Sequence, residues 1–435
     1  MKKMKRNILL VLLLINGIGI LQAQEPLLLT LEKALEIAIS ENPTIKIADK
    51  EIEKQKYAKK ETWGYLMPSV DLIGGYDRNI KKMVMSFEGQ TVTIGSDNSY
   101  NGGISMAMPI LNMRLLKMPQ LSEINIQMAL ESSRESKLSL KNEVQKAFYF
   151  ILLAQEMHIV MQKGMDNAQG NYSNAKNKFE QGLVAEYDLI RAEVQVSNLR
   201  PNLITAENNV KLAEFQLKLL LGLPIEEFIK AEGLLSNYES EYQLFNELYD
   251  FELKNNASLK KLDIQSQLLD KQLELEKTSY LPTLNLSFNY LFMSMNNDFK
   301  ISDYDWHRTS TLGLSLRVPI FSGFTRKNKI AQIRTSIEAL NLQRDFSKDR
   351  LKVQVKNTLI SMQKAIEQLE SNKTGIRSAE KAFSISQARY KSGLGTMLEL
   401  NDAEIALTQA KLNYNQSIYD YMAAKSDYDL LIGQD

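Results

Sequence analysis

The sequence predicts a mainly α-helical protein in which one unit, made of a helix, a β-hairpin and a long α-helical hairpin, occurs twice. Three observations predict this fold class: an internal repeat, two pairs of segments in which apolar and polar residues alternate, and apolar positions that recur every seven residues. Because the alternating segments have the pattern of membrane strands, the prediction includes a membrane β-barrel shared between chains.

The internal repeat relates positions that lie 211 residues apart. The segment 181–189, Gln-Gly-Leu-Val-Ala-Glu-Tyr-Asp-Leu, returns at 392–400 as Ser-Gly-Leu-Gly-Thr-Met-Leu-Glu-Leu. The pair Ala192-Glu193 returns at the same offset as Ala403-Glu404. Two copies of one unit therefore follow the N-terminal segment.

Residues 1–23 have the pattern of a secretory signal peptide. Basic residues within 2–6 precede an apolar run at 8–15, and the segment ends on the small residue Ala23. The alternative is an uncleaved membrane anchor, but the run is short for a membrane span. The chain has no cysteine, which excludes disulfides and a lipid-modified cysteine.

Each unit is predicted to open with a helix. In the first unit Thr30 is the predicted cap of a helix that pauses at Asn42-Pro43 and resumes to about Trp63. The counterpart in the second unit is predicted from Leu248 to Lys277.

Two strands follow each opening helix. In the clearest strand Leu312, Leu314, Leu316 and Val318 share one face, and similar alternation occurs around 70–76, 104–110 and 284–290. Polar loops are predicted between the paired strands, over roughly 77–99 and 293–308. A group of aromatic residues flanks one end of the strands, as in an interfacial girdle: Trp63, Tyr65, Tyr280, Phe321 and Phe324. The alternative is a sheet packed on a helix in a soluble domain.

Four strands cannot close a barrel, and an open sheet edge in lipid leaves backbone groups without partners. Several chains must then share one barrel: two chains give eight strands, three give twelve and four give sixteen. A barrel of about eight strands is filled by its own side chains, so a conduit needs more. The chain must therefore form an oligomer, and the strand counts alone do not fix the number of subunits.

A long helix with a heptad seam is predicted after each strand pair. The seam residues of the second copy are Val355, Met362, Leu369, Ile376, Phe383 and Tyr390, and those of the first are Val144, Ile151, His158, Met165, Tyr172 and Phe179. No proline occurs from 326 to 391, so one helix of about 100 Å is possible. A turn at 393–395 then leads into a returning helix of some 36 residues.

These features resemble the TolC-like outer-membrane efflux protein family. The resemblance rests on Leu29–Ala38 with Asn42-Pro43, on the strand entry Tyr280-Leu281-Pro282, and on two Gly-Leu turns followed by an acidic residue. It implies a homotrimer in the outer membrane of a Gram-negative bacterium, with a 12-stranded barrel in the lipid and an α-helical tunnel in the periplasm. The implied partners are a periplasmic adaptor (a membrane fusion protein) and an inner-membrane pump, and no cofactor is implied.

With this resemblance the chain is divided into a signal peptide and seven further segments. The first copy comprises a periplasmic helix (24–64), a β-hairpin with barrel strands 1 and 2 (65–112) and a long helical hairpin (113–221). An equatorial connector (222–247) leads to the second copy, which comprises a periplasmic helix (248–279), a β-hairpin with barrel strands 3 and 4 (280–322) and a long helical hairpin (323–435).

The resemblance also assigns candidate functional residues. The turns that would meet the adaptor are Gly182, Leu183, Val184, Gly393, Leu394 and Gly395. Glu399 and Asp402 lie three residues apart on one helix face just after the second turn, and three copies would form a ring of carboxylates at a constriction. They match the family's constriction acids, and the alternative is an ordinary solvated helix face.

A clamp between the two helical hairpins is implied by the same match. Tyr390 and Asp188 resemble partners in a hydrogen bond that holds the gate closed. Gly395 stands where the best-known family member has a clamp arginine, and Arg191 is an alternative partner for Asp188.

The sequence offers no support for an enzyme or for a nucleic-acid partner. It contains 53 Lys and Arg against 52 Asp and Glu, two histidines far apart, and no phosphate-binding or triad motif. His158 is interpreted as a seam residue and no metal site is predicted. The alternatives are a secreted pore-forming protein and a periplasmic adaptor, and the duplicated strand pair argues against the adaptor. The transported substrate is not predicted.

Overall fold

The computed structural model describes residues 27–87, 89–241 and 252–434. The predicted signal peptide, and residues 242–247 of the predicted connector, lie outside these described residues. The described residues form two compact units, one with residues from 27–43, 138–241 and 355–430, the other with residues from 44–137, 252–354 and 431–434. Each unit contains segments from both sequence repeats.

The described part of the chain is mainly helical, as predicted. The first half contains β1 (Leu27–Leu29), α1 (Leu31–Glu41), α2 (Pro43–Gly64), β2 (Ser69–Arg78), β3 (Met83–Phe87), β4 (Gln90–Ile94), β5 (Asn98–Leu111), α3 (Met113–Glu180) and α4 (Glu186–Leu221). The second half contains β6 (Ile229–Ala231), α5 (Ala257–Lys277), β7 (Thr283–Asn296), β8 (His307–Arg317), α6 (Thr325–Lys391) and α7 (Met397–Ile432), with short 3-10 turns at 235–241, 278–280 and 301–303.

The two long helices confirm the prediction made from the heptad seam. Helix α3 has 68 residues and α6 has 67, each about 100 Å long at 1.5 Å per residue. In α6 the first three seam positions, Val355, Met362 and Leu369, are buried. The returning helices α4 and α7 have 36 residues each. Burial of the seam, rather than strong helix propensity, stabilises helices of this length.

The four predicted strands form one antiparallel sheet with the order β2-β5-β7-β8. Strands β2 and β8 each pair with one neighbour only among the described residues, so both outer edges of the sheet are open. Apolar side chains on the edge strands are exposed: Leu72 by 86%, Leu312 by 72% and Leu314 by 70%. The sheet thus presents an apolar face with two unpaired edges.

The segment predicted as a polar loop over 77–99 is not a loop throughout, which is a correction. Strands β3 and β4 form a separate antiparallel hairpin within it. The β-branched run Thr91-Val92-Thr93-Ile94 favours a strand, and Gly89 adopts a left-handed φ of 83° in the connecting turn. The polar composition of the segment obscured this signal.

Helix α5 begins at Ala257, and residues 252–256 are not helical, which corrects the predicted start; residues 248–251 of the predicted helix lie outside the described residues. Asn256 ends the preceding turn, and its side-chain oxygen accepts a hydrogen bond from the Leu259 backbone N–H at 3.0 Å. An asparagine in this position satisfies a free N–H of the first helical turn and so fixes where the helix starts.

Asn256 belongs to a joint that is built in the same way in each repeat. Its Nδ2 donates to the Leu431 carbonyl at the end of α7 at 2.8 Å, and Asn42 donates likewise to Leu220 at the end of α4 at 2.7 Å. Gly433 and Gly222 follow these helix ends with φ of 74° and 70°. One asparagine and one left-handed glycine therefore join the end of each returning helix to an opening helix of the same unit.

None of the helices in the described ranges carries an apolar stretch long enough to cross a bilayer.

Candidate functional site

The two helix–helix turns have the same backbone geometry. At the end of α3 the Leu183 N–H donates to the Lys178 carbonyl at 2.8 Å, and Gly182 adopts a φ of 69°. At the end of α6 the Leu394 N–H donates to the Arg389 carbonyl at 2.9 Å, and Gly393 has a φ of 75°. This hydrogen-bond pattern is a Schellman motif, which requires a residue that tolerates left-handed backbone. The duplicated Gly-Leu pair therefore encodes both turns.

Glu399 has a structural partner that the sequence interpretation missed. The Glu399 N–H donates to the Thr396 hydroxyl at 3.2 Å, and the Thr396 N–H donates to Glu399 Oε2 at 3.4 Å. This reciprocal pair is a capping box at the start of α7, and its signal was the Thr-x-x-Glu spacing at 396–399. The first copy has Ala185 at the equivalent position and no side-chain cap.

Arg389 also lies against Glu399. One guanidinium nitrogen is 3.8 Å from Glu399 Oε2 and donates to the Leu394 carbonyl at 3.2 Å. A Cβ built on Gly395 would come within 3.0 Å of the Arg389 side chain and 3.2 Å of the Tyr390 backbone nitrogen. The turn therefore contains an arginine at position 389 and not at position 395. Because residue 395 is a glycine, it leaves room for the contact between Arg389 and Glu399.

Asp402 lies one helical turn after Glu399 and is exposed. Among the described residues it has no hydrogen-bond or ion-pair partner. Glu399 is engaged by the cap and by Arg389, whereas the charge of Asp402 is exposed to solvent.

A small hydrophobic cluster joins the two helical hairpins near their turns. Its buried members are Ala175 of α3, Ala192 of α4, Tyr390 of α6, and Met397 and Leu400 of α7. Tyr172 and Phe383 pack against them. Alanines at two of these positions allow the helices to approach closely. The cluster is the contact that must change if the hairpins separate here.

Tyr390 lies in this cluster, but the predicted hydrogen bond to Asp188 is not formed. The Tyr390 hydroxyl is buried and has no hydrogen-bond partner among the described residues. Burial, and then the nearby Asp188 carboxylate, raise the pKa of Tyr390 above its usual value. The Lys178 ammonium instead lies 4.6 Å from the centre of the Tyr390 ring. A cation–π contact therefore stands where the resemblance predicted a hydrogen bond.

Arg191 does not neutralise Asp188, which is a second correction. Its guanidinium donates to the Tyr187 hydroxyl at 3.1 Å and lies 5.8 Å from the centre of that ring. Tyr187 and Asp188 lie four and three positions before Arg191, so both are within reach of its side chain on the helix surface. The spacing alone did not decide between these two partners.

Glu404 is a titratable residue near the site that the sequence interpretation did not single out. It is only 3% exposed, and burial raises its pKa to about 6. Its Oε2 is 3.5 Å from Asn171 Nδ2, and its Oε1 has no partner among the described residues. The equivalent residue of the first copy, Glu193, is exposed.

We expect Glu404→Gln to stabilise the protein at pH 7.5. A carboxyl whose folded pKa is raised stabilises the fold below its ordinary pKa and loses that contribution as the pH rises through about 6. At pH 7.5 the substitution should raise the free energy of unfolding by about 1–2 kcal/mol, with little effect at pH 4.5. Thermal unfolding at both pH values measures this. Glu193→Gln is the control and should change neither midpoint; an equal midpoint for Glu404→Gln and wild type at pH 7.5 contradicts the account.

Within the residues that the structure describes, no group of three or more His, Cys, Asp or Glu side chains is arranged to hold a metal ion.

Comparison with known proteins gives a consistent result. The family model "Outer membrane efflux protein" matches residues 34–223 and 248–434. The outer membrane protein TolC of Escherichia coli is 22% identical over 285 residues, which cover 63% of this chain and 57% of TolC. The chain thus matches a little over half the length of that relative.

Solved channel structures share the fold. The Campylobacter jejuni CmeC outer membrane channel aligns with a TM-score of 0.74 at 17% identity, over 93% of this chain and 85% of CmeC. The open-state Neisseria gonorrhoeae MtrE outer membrane channel aligns with a TM-score of 0.73, also at 17% identity, over 93% and 88%. At this level of identity the structural likeness concerns the fold alone.

Proposed function

The chain belongs to the outer membrane efflux protein family, and from that premise we propose that it is one subunit of a trimeric channel that passively conducts exported solute out of the cell. The family places it in the outer membrane of a Gram-negative bacterium. The energy for export comes from a separate inner-membrane pump, which a periplasmic adaptor connects to the channel.

The open sheet carries this proposal. Strands β2 and β8 expose apolar side chains and leave their outer edges without partners in the chain described here. In lipid each unpaired backbone group costs several kcal/mol, so the edge β2 of one copy must pair with the edge β8 of the next. Three copies supply twelve strands, which is enough for an open lumen.

The helical hairpins extend the same channel into the periplasm in this proposal. The parts of the proposed channel are the segments predicted from the sequence, from the periplasmic helix at 24–64 to the long helical hairpin at 323–435. The turns at 182–184 and 393–395 are the ends that meet the adaptor. Adaptor binding separates the hairpins at the cluster around Tyr390 and so shifts an existing equilibrium toward the open state.

Planar-bilayer recording on the purified, detergent-solubilised protein tests the channel function. We expect discrete conductance steps and a preference for cations, since Asp402 would line the narrowest part. Recovery of the protein from the culture medium instead of the outer membrane, with no conductance steps, would favour a secreted pore-forming protein.

The contact between Lys178 and Tyr390 predicts which substitution opens the gate. Lys178→Gln removes a cation–π contact of about 0.5–2 kcal/mol in each subunit, and we expect the open probability to rise about tenfold. Tyr390→Phe keeps the ring and removes a hydroxyl that has no partner, so we expect a change of less than about twofold.

Both variants are compared with wild type in the same bilayer recordings. Lys176→Gln, two residues from Lys178 on an exposed position, is the control for loss of a positive charge. A gate opened by Tyr390→Phe and unaffected by Lys178→Gln would show that the hydroxyl, and not the ring, holds the hairpins together.

A further inference from the structure

A cleft within the first compact unit surrounds Glu404. It has a volume of about 670 Å³ and lies between α3, α6, α7 and the short segment at 234–236. This volume is in the range of small-molecule sites in proteins. The lining does not include the residues of the two turns, and it shares Phe383 with the cluster around Tyr390.

Five charged residues line the cleft: Glu156, Lys163, Glu380, Glu404 and Lys411. Lys411 forms an ion pair with Glu380 at 3.2 Å, and Lys163 is exposed on α3. Glu156, also on α3, accepts a backbone hydrogen bond from Leu235. Glu404 is the acid of the cleft that is almost completely buried, and its Oε1 has no partner among the described residues.

Among the uncharged polar groups that line the cleft, a hydrogen bond from the Asn167 side chain partly opposes the rise in the pKa of Glu404. The Tyr414 hydroxyl donates to Glu239 Oε2 at 2.8 Å, so it does not serve Glu404. A buried carboxylate oxygen without a donor is costly, and a bound cationic donor would remove that cost.

Apolar side chains form part of the cleft wall, beside the polar residues Asn167, Ser236, Thr408 and Asn415. Ile376 and Phe383 contribute from α6, Leu407 from α7 and Val160 from α3. Among the residues described, no group of three or more His, Cys, Asp or Glu side chains is placed to hold a divalent metal ion. An ammonium group attached to an apolar body would satisfy both the acid and the walls.

We propose that this cleft binds a small organic amine, with the ammonium group donating to the Glu404 carboxylate and the apolar body packing against Ile376, Phe383 and Leu407. Binding requires the ionised carboxylate, so it should weaken as the pH falls through about 6.

The probe is 2-phenylethylammonium chloride, tested by saturation-transfer NMR on the full chain purified in detergent. We expect Glu404→Gln to weaken binding at least tenfold at pH 7.5, and wild type to bind about tenfold more weakly at pH 5 than at pH 7.5. The neutral analogue 2-phenylethanol should bind at least tenfold more weakly than the amine. Glu193→Gln, the exposed equivalent in the first copy, should bind the amine like wild type.

Equal binding of the amine and the alcohol, or amine binding that does not depend on pH, would overturn the proposal. Both of those measurements use wild-type protein, so they decide even where Glu404→Gln does not fold. Unchanged amine binding by a folded Glu404→Gln variant would overturn it as well. Bilayer conductance is recorded on the same samples, so loss of the channel function would be seen separately from loss of the amine site.

Discussion

Asp402→Asn is expected to reduce the cation selectivity of the channel by roughly three- to tenfold in planar bilayers. Asp402 is exposed on α7 and has no partner among the described residues, so its charge is available to ions. In the trimer the substitution removes three charges, and an interaction of about 1 kcal/mol with a passing ion corresponds to about a fivefold change in permeability. The permeability ratio follows from reversal potentials in a salt gradient.

Glu399→Gln is the informative comparison for Asp402→Asn. Glutamine can preserve the capping box with Thr396, so the start of α7 should stay intact. Because Arg389 already lies near the Glu399 carboxylate, we expect less than a twofold change in selectivity. Asp420→Asn, an exposed acid farther along α7, controls for loss of charge elsewhere. Unaltered selectivity in Asp402→Asn would exclude this residue from the constriction.

Gly433→Ala is expected to prevent stable folding. Gly433 has a φ of 74°, and a Cβ on it would overlap the backbone carbonyl of Asn255. The left-handed conformation costs a non-glycine residue about 1–2 kcal/mol, and overlap with backbone adds about 1–3 kcal/mol. Gly222→Ala, where the Cβ would lie 2.8 Å from the Glu41 carbonyl oxygen, should have a similar but smaller effect.

Yield and thermal midpoint of the membrane-extracted protein measure both effects. Gly375→Ala and Gly170→Ala are matched controls, since these glycines lie inside α6 and α3 with no atom within 4 Å of a built Cβ. Alanine favours a helix by about 0.5–1 kcal/mol over glycine, so both controls should be neutral or stabilising. A Gly433→Ala protein as stable as these controls would show that the joint tolerates a side chain.

The spacing of apolar residues along the sequence predicted most of the helices and strands. The stretch without proline from 326 to 391 predicted the extent of α6 almost to the residue, and the heptad spacing predicted its buried seam. The hairpin β3–β4 was missed because polar residues mask its short β-branched run. The start of α5 was set by one asparagine cap, Asn256, which hydrophobic pattern does not detect.

The candidate site was predicted less completely. The sequence predicted that Glu399 and Asp402 share one helix face. In the structure the capping box and Arg389 engage the Glu399 carboxylate but not that of Asp402. The partner of Tyr390 depends on which side chains meet across two hairpins, and spacing along one helix does not contain that information. Glu193 and Glu404 are equivalent in sequence, yet only Glu404 is buried, because the two copies pack against different neighbours.

The chain has no cysteine, so introduced cysteines can report directly on whether β2 of one copy meets β8 of another. Leu72→Cys is combined in turn with Leu312→Cys, Leu314→Cys and Leu316→Cys, which covers three registers, and the outer membranes are oxidised before denaturing electrophoresis. We predict that at least one pair of cysteines gives a covalent species of three subunits. Each variant with only one of these cysteines should run as one subunit. If every pair runs as one subunit, the sheet edges do not meet and the shared barrel is contradicted.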